Sequence, residues 1–525
     1  MRRVASVLVV AAVLLAACGT ATVETERADQ VAEGDLTDTT PAVEEEPSTS
    51  PTTEPVVPSS EPPATEPAAT DETIDDEPAA STREASTDLG DPLFPGLGSP
   101  DVDVLAYDVR LTVEPGSASI EGSVGVEALV PTEVSQLALD AVGLDIASVE
   151  VDGSEASFEM SGGELVIELP AEREPVVVAV VNYSAMPVAS PSAPGFPIGW
   201  FTTDDGSFVL NEPDGARTWM PANDHPSDKA TWRFELHVPE GVAAIANGEL
   251  ERRGNGDDGE GPWIWVESDP MATYLVQLIV GDYTVIEDEP YRSIDGADVE
   301  LVHAVPSGTE DGLAPHAAIN LGQLAFFEDL FGPYPLDRYG LALVDEFPDG
   351  LAMETQGRSM FSADVFAGPP GPFEHLLLAH EIAHQWFGNA VSPAEWGDIW
   401  LNESFATYAQ WLWLEEAGFA TVDEAATGSL QGRQNGSEST GDPDADNLFG
   451  FESYDGGAVI LHALRQTIGD EAFFSLLTLW VAEFGGTSQS TEEFIAFAET
   501  VGGMDLQQFF DDWLFATDLP DEFPS

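Results

Sequence analysis

Hydrophobic and polar positions alternate with a period of two from Tyr107 to about Ile286. Val109, Leu111 and Val113 alternate with Asp108, Arg110 and Thr112. Ile120, Val124, Val126 and Ala128 continue the habit after a Pro115-Gly116 turn, and residues 176–181 form a continuous apolar run. Period two sends alternate side chains to opposite faces of a strand. Many short runs of this kind, separated by turn residues, predict an all-β saddle or sandwich domain over 92–305. Past about Pro306 the spacing becomes helical. Ile319, Leu321, Leu324, Phe326, Phe327 and Leu330 fit one helix that Gly332-Pro333 stops. Similar stretches recur over 373–387, 400–417, 457–468, 471–484 and 491–501. The pattern predicts a multidomain chain, a β domain followed by a mostly α domain over 306–525.

Upstream of both, residues 19–91 are Thr, Glu, Pro, Ser, Ala and Asp with few large apolar side chains. Such a stretch cannot bury enough surface to offset its ordering entropy, so it is expected to be a disordered acidic linker. At the front, Arg2 and Arg3 precede an apolar run over 4–17 that ends in Leu15-Ala16-Ala17-Cys18. The run is too short for a bilayer core of roughly 30 Å. A charged start, a short apolar stretch and small residues before a cut site describe an export signal over 1–18. Its ending resembles the bacterial lipobox, in which the cysteine is lipidated. Cys18 is the only cysteine, so no disulfide forms within the chain. The expected location is extracytoplasmic, lipid-anchored through Cys18 to the outer face of the bacterial cell membrane.

Charge removes one class of partner. Against 96 acidic residues stand 16 basic ones, a formal charge of −80. Phosphate backbones are repelled by such a surface, so nucleic acid is not an expected partner. Lys229 is the one lysine.

The candidate chemistry lies in the helical half. His380-Glu381-Ile382-Ala383-His384 places two imidazoles at i and i+4, on one helix face, where both can reach one ion. Glu381 lies next to them, within reach of a water on that ion. Catalytic zinc takes three protein ligands and a water, often two histidines and a glutamate. Glu403, at the head of the next helical stretch, supplies the third if the two helices fold back on each other through Pro393. The ligand set favours one Zn²⁺ per chain.

The flanks His384-Gln385-Trp386-Phe387-Gly388-Asn389 and Trp400-Leu401-Asn402-Glu403 resemble the aminopeptidase N and leukotriene hydrolase family of zinc exopeptidases. So do Asn211-Glu212, Ala216-Arg217, Asp224-His225-Pro226 with Lys229-Ala230, and Phe331-Gly332-Pro333-Tyr334-Pro335. The resemblance implies a thermolysin-like catalytic domain. It also implies that Tyr454 donates to an oxyanion, although Gly456 stands where the family usually has lysine. Glu354, in Ala352-Met353-Glu354-Thr355, and Glu212 are implied to hold the ammonium of a substrate N-terminus. Here Thr355 replaces the usual asparagine of that loop, and Leu351 replaces its glycine or is an insertion. Large family members carry a helical cap domain after the catalytic one. About 70 residues follow Tyr454, so a more open site without that cap is expected.

The expected activity is therefore hydrolysis of N-terminal amino acids from peptides by metal-activated water with Glu381 as general base. The alternatives are a zinc endopeptidase or epoxide hydrolase on the same site, or a catalytically silent lipoprotein that binds a surface partner. Asp398, five residues before Glu403, is expected to orient a ligand imidazole. The remaining histidines, His225, His237, His303, His316, His375 and His462, have no ligand spacing. Oligomeric state and the preferred N-terminal residue are not readable.

Overall fold

The computed structural model describes residues 82–192, 195–254, 261–348, 351–433 and 438–524. The export signal, Cys18 and most of the predicted linker lie outside them. Among the described residues, the largest sheet has eight strands. In spatial order these are Glu249–Arg252, Trp263–Ala272, Lys229–His237, Asp103–Val113, Ile120–Leu129, Val176–Ala185, Leu144–Val151 and Ser154–Glu155. Lys229–His237 runs parallel to Asp103–Val113, and the other neighbours are antiparallel. The alternation of Val109, Leu111 and Val113 with polar neighbours is the reason: the apolar set is buried and the polar set faces out. A five-stranded sheet and a three-stranded sheet complete the β domain.

The helical part contains α1 (Leu313–Phe331), α2 (Pro372–Ala383), α3 (Trp400–Glu416), α4 (Val422–Arg433), α5 (Gly457–Ile468), α6 (Asp470–Phe484), α7 (Thr491–Gly502) and α8 (Gln507–Trp513). Local chemistry sets their ends. Gly332, at φ 92°, stops α1. Pro372 opens α2, where the Glu374 carboxylate accepts from Gly371 N at 2.7 Å. Ser490 and Glu493 form a capping box ahead of α7.

Two boundaries differ from the sequence reading. The catalytic sheet begins well before 306, because strands Tyr283–Arg292 and Asp298–Pro306 pair with each other and then with Leu341–Val344 and Arg338–Tyr339. Period-two alternation marks a strand without saying which sheet receives it. The linker expected over 19–91 also ends early. Arg83 N donates to Glu133 O, Ser135 N donates to Arg83 O, and the Arg83 guanidinium pairs with Asp101. Asp91 is fully buried, accepting from Leu93 N, Phe94 N and Trp396 N and lying 3.3 Å from His225 Nε2. These backbone and side-chain bonds order a stretch whose composition hides them.

The β domain and the catalytic part share a core. The apolar cluster of the β sheets runs on into Ala342, Val344, Met353, Met360, Trp396 and Ile399. Lys229 crosses the same seam, its Nζ donating to the carbonyls of Asn389, Ala390 and Thr487 at 2.8, 3.0 and 3.3 Å. Burial pushes that amine down to about 7. A seam fastened in this way can carry a site built from both sides.

Candidate metal and peptide site

Helix α2 presents His380 and His384 on one face, with ring centroids 4.7 Å apart. After Ala383 the chain turns back sharply. At Gly388, φ is 118°, and a Cβ there would press Asn402 and His384 at 3.2–3.3 Å. This close reversal lets α3 pack against α2 and brings Glu403 to the histidines. Glu403 Oε2 lies 3.1 Å from His380 Nε2 and 3.5 Å from His384 Nε2. One ligand atom from each of the three residues falls within 4.8 Å of the others, and all three residues are buried. His384 Nδ1 is 3.1 Å from Phe387 O, so this nitrogen carries the proton and Nε2 keeps its lone pair for the cavity.

Two further carboxylates face the same space. Glu212 follows strand Ser207–Leu210, and Glu354 follows the short strand Ala352–Met353, which pairs antiparallel with Ser359–Ser362. Oxygens of Glu212, Glu354 and Glu403 also lie within 4.8 Å of one another. Glu212 Oε1 and Glu354 Oε1 are buried without a hydrogen-bond partner. Burial raises the pKa of both carboxyls, helped by repulsion from Glu354 and Glu403 at Glu212 and from Glu403 at Glu354. The backbone at Glu354 is fixed, its carbonyl accepting from Gln385 Nε2 at 3.2 Å and Asn389 Nδ2 at 2.6 Å. Thr355 turns its hydroxyl away from the cavity, onto Gln277 and the Arg358 carbonyl.

Glu381 is buried beside this group. Burial, with the charges of Glu354 and Glu403, holds its carboxyl well above the usual range. Tyr454 sits in a π-helical turn over Glu452–Gly456, and its ring lies nearly parallel to His380, centroids 5.8 Å apart at 14°. Ser404 Oγ of α3 donates to Ser453 O, and a Cβ at Gly457 would meet that Oγ at 1.7 Å. The tyrosine turn is thus pressed onto the glutamate helix. Burial and the surrounding carboxylates keep the phenol protonated, its pKa well above 10.

Asp398 does not join the site. Its Oδ1 accepts from Thr491 N and Oγ1 at 2.9 and 2.7 Å, and its Oδ2 accepts from Glu395 N. It ties the approach to α3 to the start of α7, and spacing from Glu403 says nothing about that direction. The residue of α3 that does act on a histidine is Gln410, two turns beyond Glu403, whose side chain raises the pKa of His380 against the effect of burial. The i, i+7 spacing from Glu403 was the available signal. His375 accepts from Trp413 Nε1 and His225 faces Asp91, both away from the cavity.

The donor set fits zinc. Two imidazoles and a carboxylate converge, and His384 Nε2 is buried without an acceptable hydrogen bond. The three carboxylates Glu354, Glu403 and Glu381 raise the pKa of His384 despite burial. A divalent cation supplies the positive charge those groups otherwise draw from the ring.

Comparison with known proteins agrees with this geometry. Residues 104–275 match the Peptidase M1 N-terminal domain, and 317–513 match the Peptidase family M1 domain. The chain is 30% identical to probable aminopeptidase 1 of Saccharolobus solfataricus, over 75% of this chain and 52% of that protein. Against aminopeptidase M1 of Arabidopsis thaliana the identity is 26%, over 81% and 51%. The chain thus spans about half the length of the aminopeptidases it matches. An M1 zinc metallopeptidase from Deinococcus radiodurans superposes with a TM-score of 0.75 at 30% identity, covering 83% of this chain and 99% of that one. A mutant of it bound to a Tyr-Ser-Ala substrate gives 0.76 at 29%, with the same coverage. This chain, with its β domain, its catalytic sheet and its convergent histidines and glutamates, belongs to peptidase family M1.

Proposed function

We propose that this protein is a zinc aminopeptidase, held at the outer face of a bacterial membrane by a lipid on Cys18. The observation that carries the catalytic reading is the paired arrangement at the seam. A three-donor metal cluster shares Glu403 with a second cluster whose two other carboxylates have unpartnered oxygens.

His380, His384 and Glu403 would hold the zinc. Bound there, zinc lowers the pKa of a coordinated water to about 7 and polarises a carbonyl. The chain's own groups do the rest. Glu381 takes a proton from the attacking water on its carboxylate and delivers it to the departing amine. The protonated Tyr454 hydroxyl donates to the oxygen on which negative charge develops. Glu212 and Glu354 receive the substrate's free ammonium, which sets the register so that the first peptide bond reaches Glu381. Glu212 Oε1 and Glu354 Oε1 are buried and accept no hydrogen bond until such an amine arrives, and this favours exopeptidase over endopeptidase action.

The test is cleavage of matched free and N-acetylated peptides, with and without a chelator. Chelator-sensitive release of the first residue from free peptides is expected, and faster cleavage of the acetylated ones would overturn the reading. The anchor rests on the Leu15-Ala16-Ala17-Cys18 sequence. Among the described residues, no helix is long and apolar enough to cross a membrane. Replacing Cys18 with Ala should move the protein from the membrane fraction to the medium, and unchanged partitioning would remove the anchor.

A further inference from the structure

The turn that carries Glu354 is held by buried polar side chains from both sides of the seam. Thr355 to Arg358 form a tight turn, Arg358 N donating to Thr355 O at 3.1 Å, with Gly357 at φ 73°. Gln277 lies in the β domain, immediately before strand Leu278–Gly281, and is fully buried. Its Nε2 donates to Thr355 Oγ1 at 2.9 Å and to Arg358 O at 2.8 Å. Its Oε1 accepts from Arg358 Nη1 at 2.8 Å, and its backbone N donates to Asn247 Oδ1 at 2.6 Å.

The polarity of this chain of bonds is forced. A guanidinium only donates, so the Gln277 oxygen must face Arg358 and its NH₂ must face Thr355. The Thr355 hydroxyl then accepts from Gln277, and its own proton goes to Arg358 O. Arg358 is anchored in turn. Its Nε donates to Val302 O and its Nη1 to Ala246 O, both at 2.9 Å, and the face of Trp265 lies 5.0 Å from its charge. On the other side, Gly357 N donates to Gln385 Oε1, and the Glu354 carbonyl is taken by Gln385 and Asn389. The hydroxyl and the carbonyl of Thr355 both have partners, which holds the backbone that carries Glu354 into the cavity.

We propose that Gln277, Thr355 and Arg358 are positioning residues that aim the Glu354 carboxylate at the substrate ammonium. The proposal rests on the aminopeptidase reading above and adds the hydroxyl of Thr355 and the amide of Gln277 as what sets the precision of amine recognition. None of the three touches substrate. The relay acts on binding of the amine and leaves the water-activating machinery around Glu381 in place.

The experiment compares T355V, T355S and Q277E with E354Q in the zinc-loaded full chain, on free and N-acetylated versions of one peptide, with zinc content and thermal unfolding recorded for each. Val matches Thr in shape and lacks the hydroxyl, whereas Ser keeps it. A role in packing alone favours Val; a positioning role favours Ser. T355V should raise KM for the free peptide about five- to tenfold with little change in kcat, the loss of one buried hydrogen-bonding group, and should narrow free-over-acetylated discrimination. T355S should restore KM to within about twofold. Q277E keeps the acceptor for Arg358 and loses the donor to Thr355, so it should shift KM in the direction of T355V even if T355V folds poorly. Wild-type KM and discrimination in both T355V and Q277E, with E354Q impaired, would overturn the relay. Wild-type discrimination in E354Q would instead overturn the amine-binding role of Glu354 and the relay with it.

Discussion

His384 Nδ1 lies 3.1 Å from the carbonyl oxygen of Phe387, three residues along, and that contact decides which nitrogen faces Glu403. A ring hydrogen-bonded through Nδ1–H keeps its Nε2 lone pair available, and a partner behind the ring sets the ligand's orientation as well as its tautomer. The turn through Gly388 that presents the Phe387 carbonyl is therefore part of the metal site.

Zinc retention should follow from this. Protein purified without chelators is expected to carry about one zinc per chain. E403A should lose most of it, by elemental analysis, while the circular dichroism of the β domain is retained. Full metal occupancy in E403A would remove Glu403 from the site.

Removal of the base should separate chemistry from binding. E381Q is expected to lower kcat by about 10²–10⁴-fold, the usual worth of general acid–base catalysis. Zinc content and unfolding temperature should stay at wild-type values. Near-normal turnover in E381Q would assign the proton transfer elsewhere.

The paired carboxylates predict a charge-specific effect. Two unit charges 4 Å apart interact by about 4 kcal/mol at an effective dielectric of 20, an upper bound near 10³-fold in affinity. E212Q should therefore reduce kcat/KM for free peptides by between about 10-fold and 10³-fold, with much less effect on acetylated ones. Equal losses on both substrates would mean that Glu212 supports the fold and does not read the amine.

Stability should fall as pH rises from about 4 to about 7. Burial lifts the Asp228 carboxyl from 3.8 to about 7 and outweighs its bonds from Asn223 and Val104. Between those values the folded state holds a proton that the unfolded chain has released. The contribution is fully present below about 4 and is lost as pH rises to about 7. Asp224, also raised to about 7, acts in the same direction. D228N should flatten the dependence of unfolding free energy on pH between 4 and 7 by up to one proton's worth, ~1.4 kcal/mol per pH unit. An unchanged slope would show that Asp228 is ionised in the fold across that range.

The parts of the site that were legible in the sequence are those set by local geometry. His380, Glu381 and His384 lie within one turn and a half of α2, and their spacing states their common face directly. The short link through Pro393 made Glu403 legible, because a 19-residue separation with one break leaves few courses. Gln277 and Arg358 were not legible, since their partnership joins residues 81 apart across two sheets, and an amide or guanidinium has no periodic signature. Asp398 misled because proximity in sequence does not fix side-chain direction at a helix approach. Of the fold, the change from period two to helical spacing placed every long helix except α4, whose glycines and polar residues weaken its apolar stripe. Sheet membership of 283–306 was hidden for a different reason: pairing partners are chosen by tertiary packing, which alternation does not encode.

The solitary lysine at the seam has a practical consequence. The Lys229 amine lies within hydrogen-bond distance of three main-chain oxygens of the opposite half of the molecule. Succinimidyl esters and aldehyde fixatives thus meet a protein whose one lysine amine is already engaged, and acylation there reports the two halves coming apart. Slow labelling of Lys229, followed by mass spectrometry, becomes a clock for opening of the seam, read without any engineered probe.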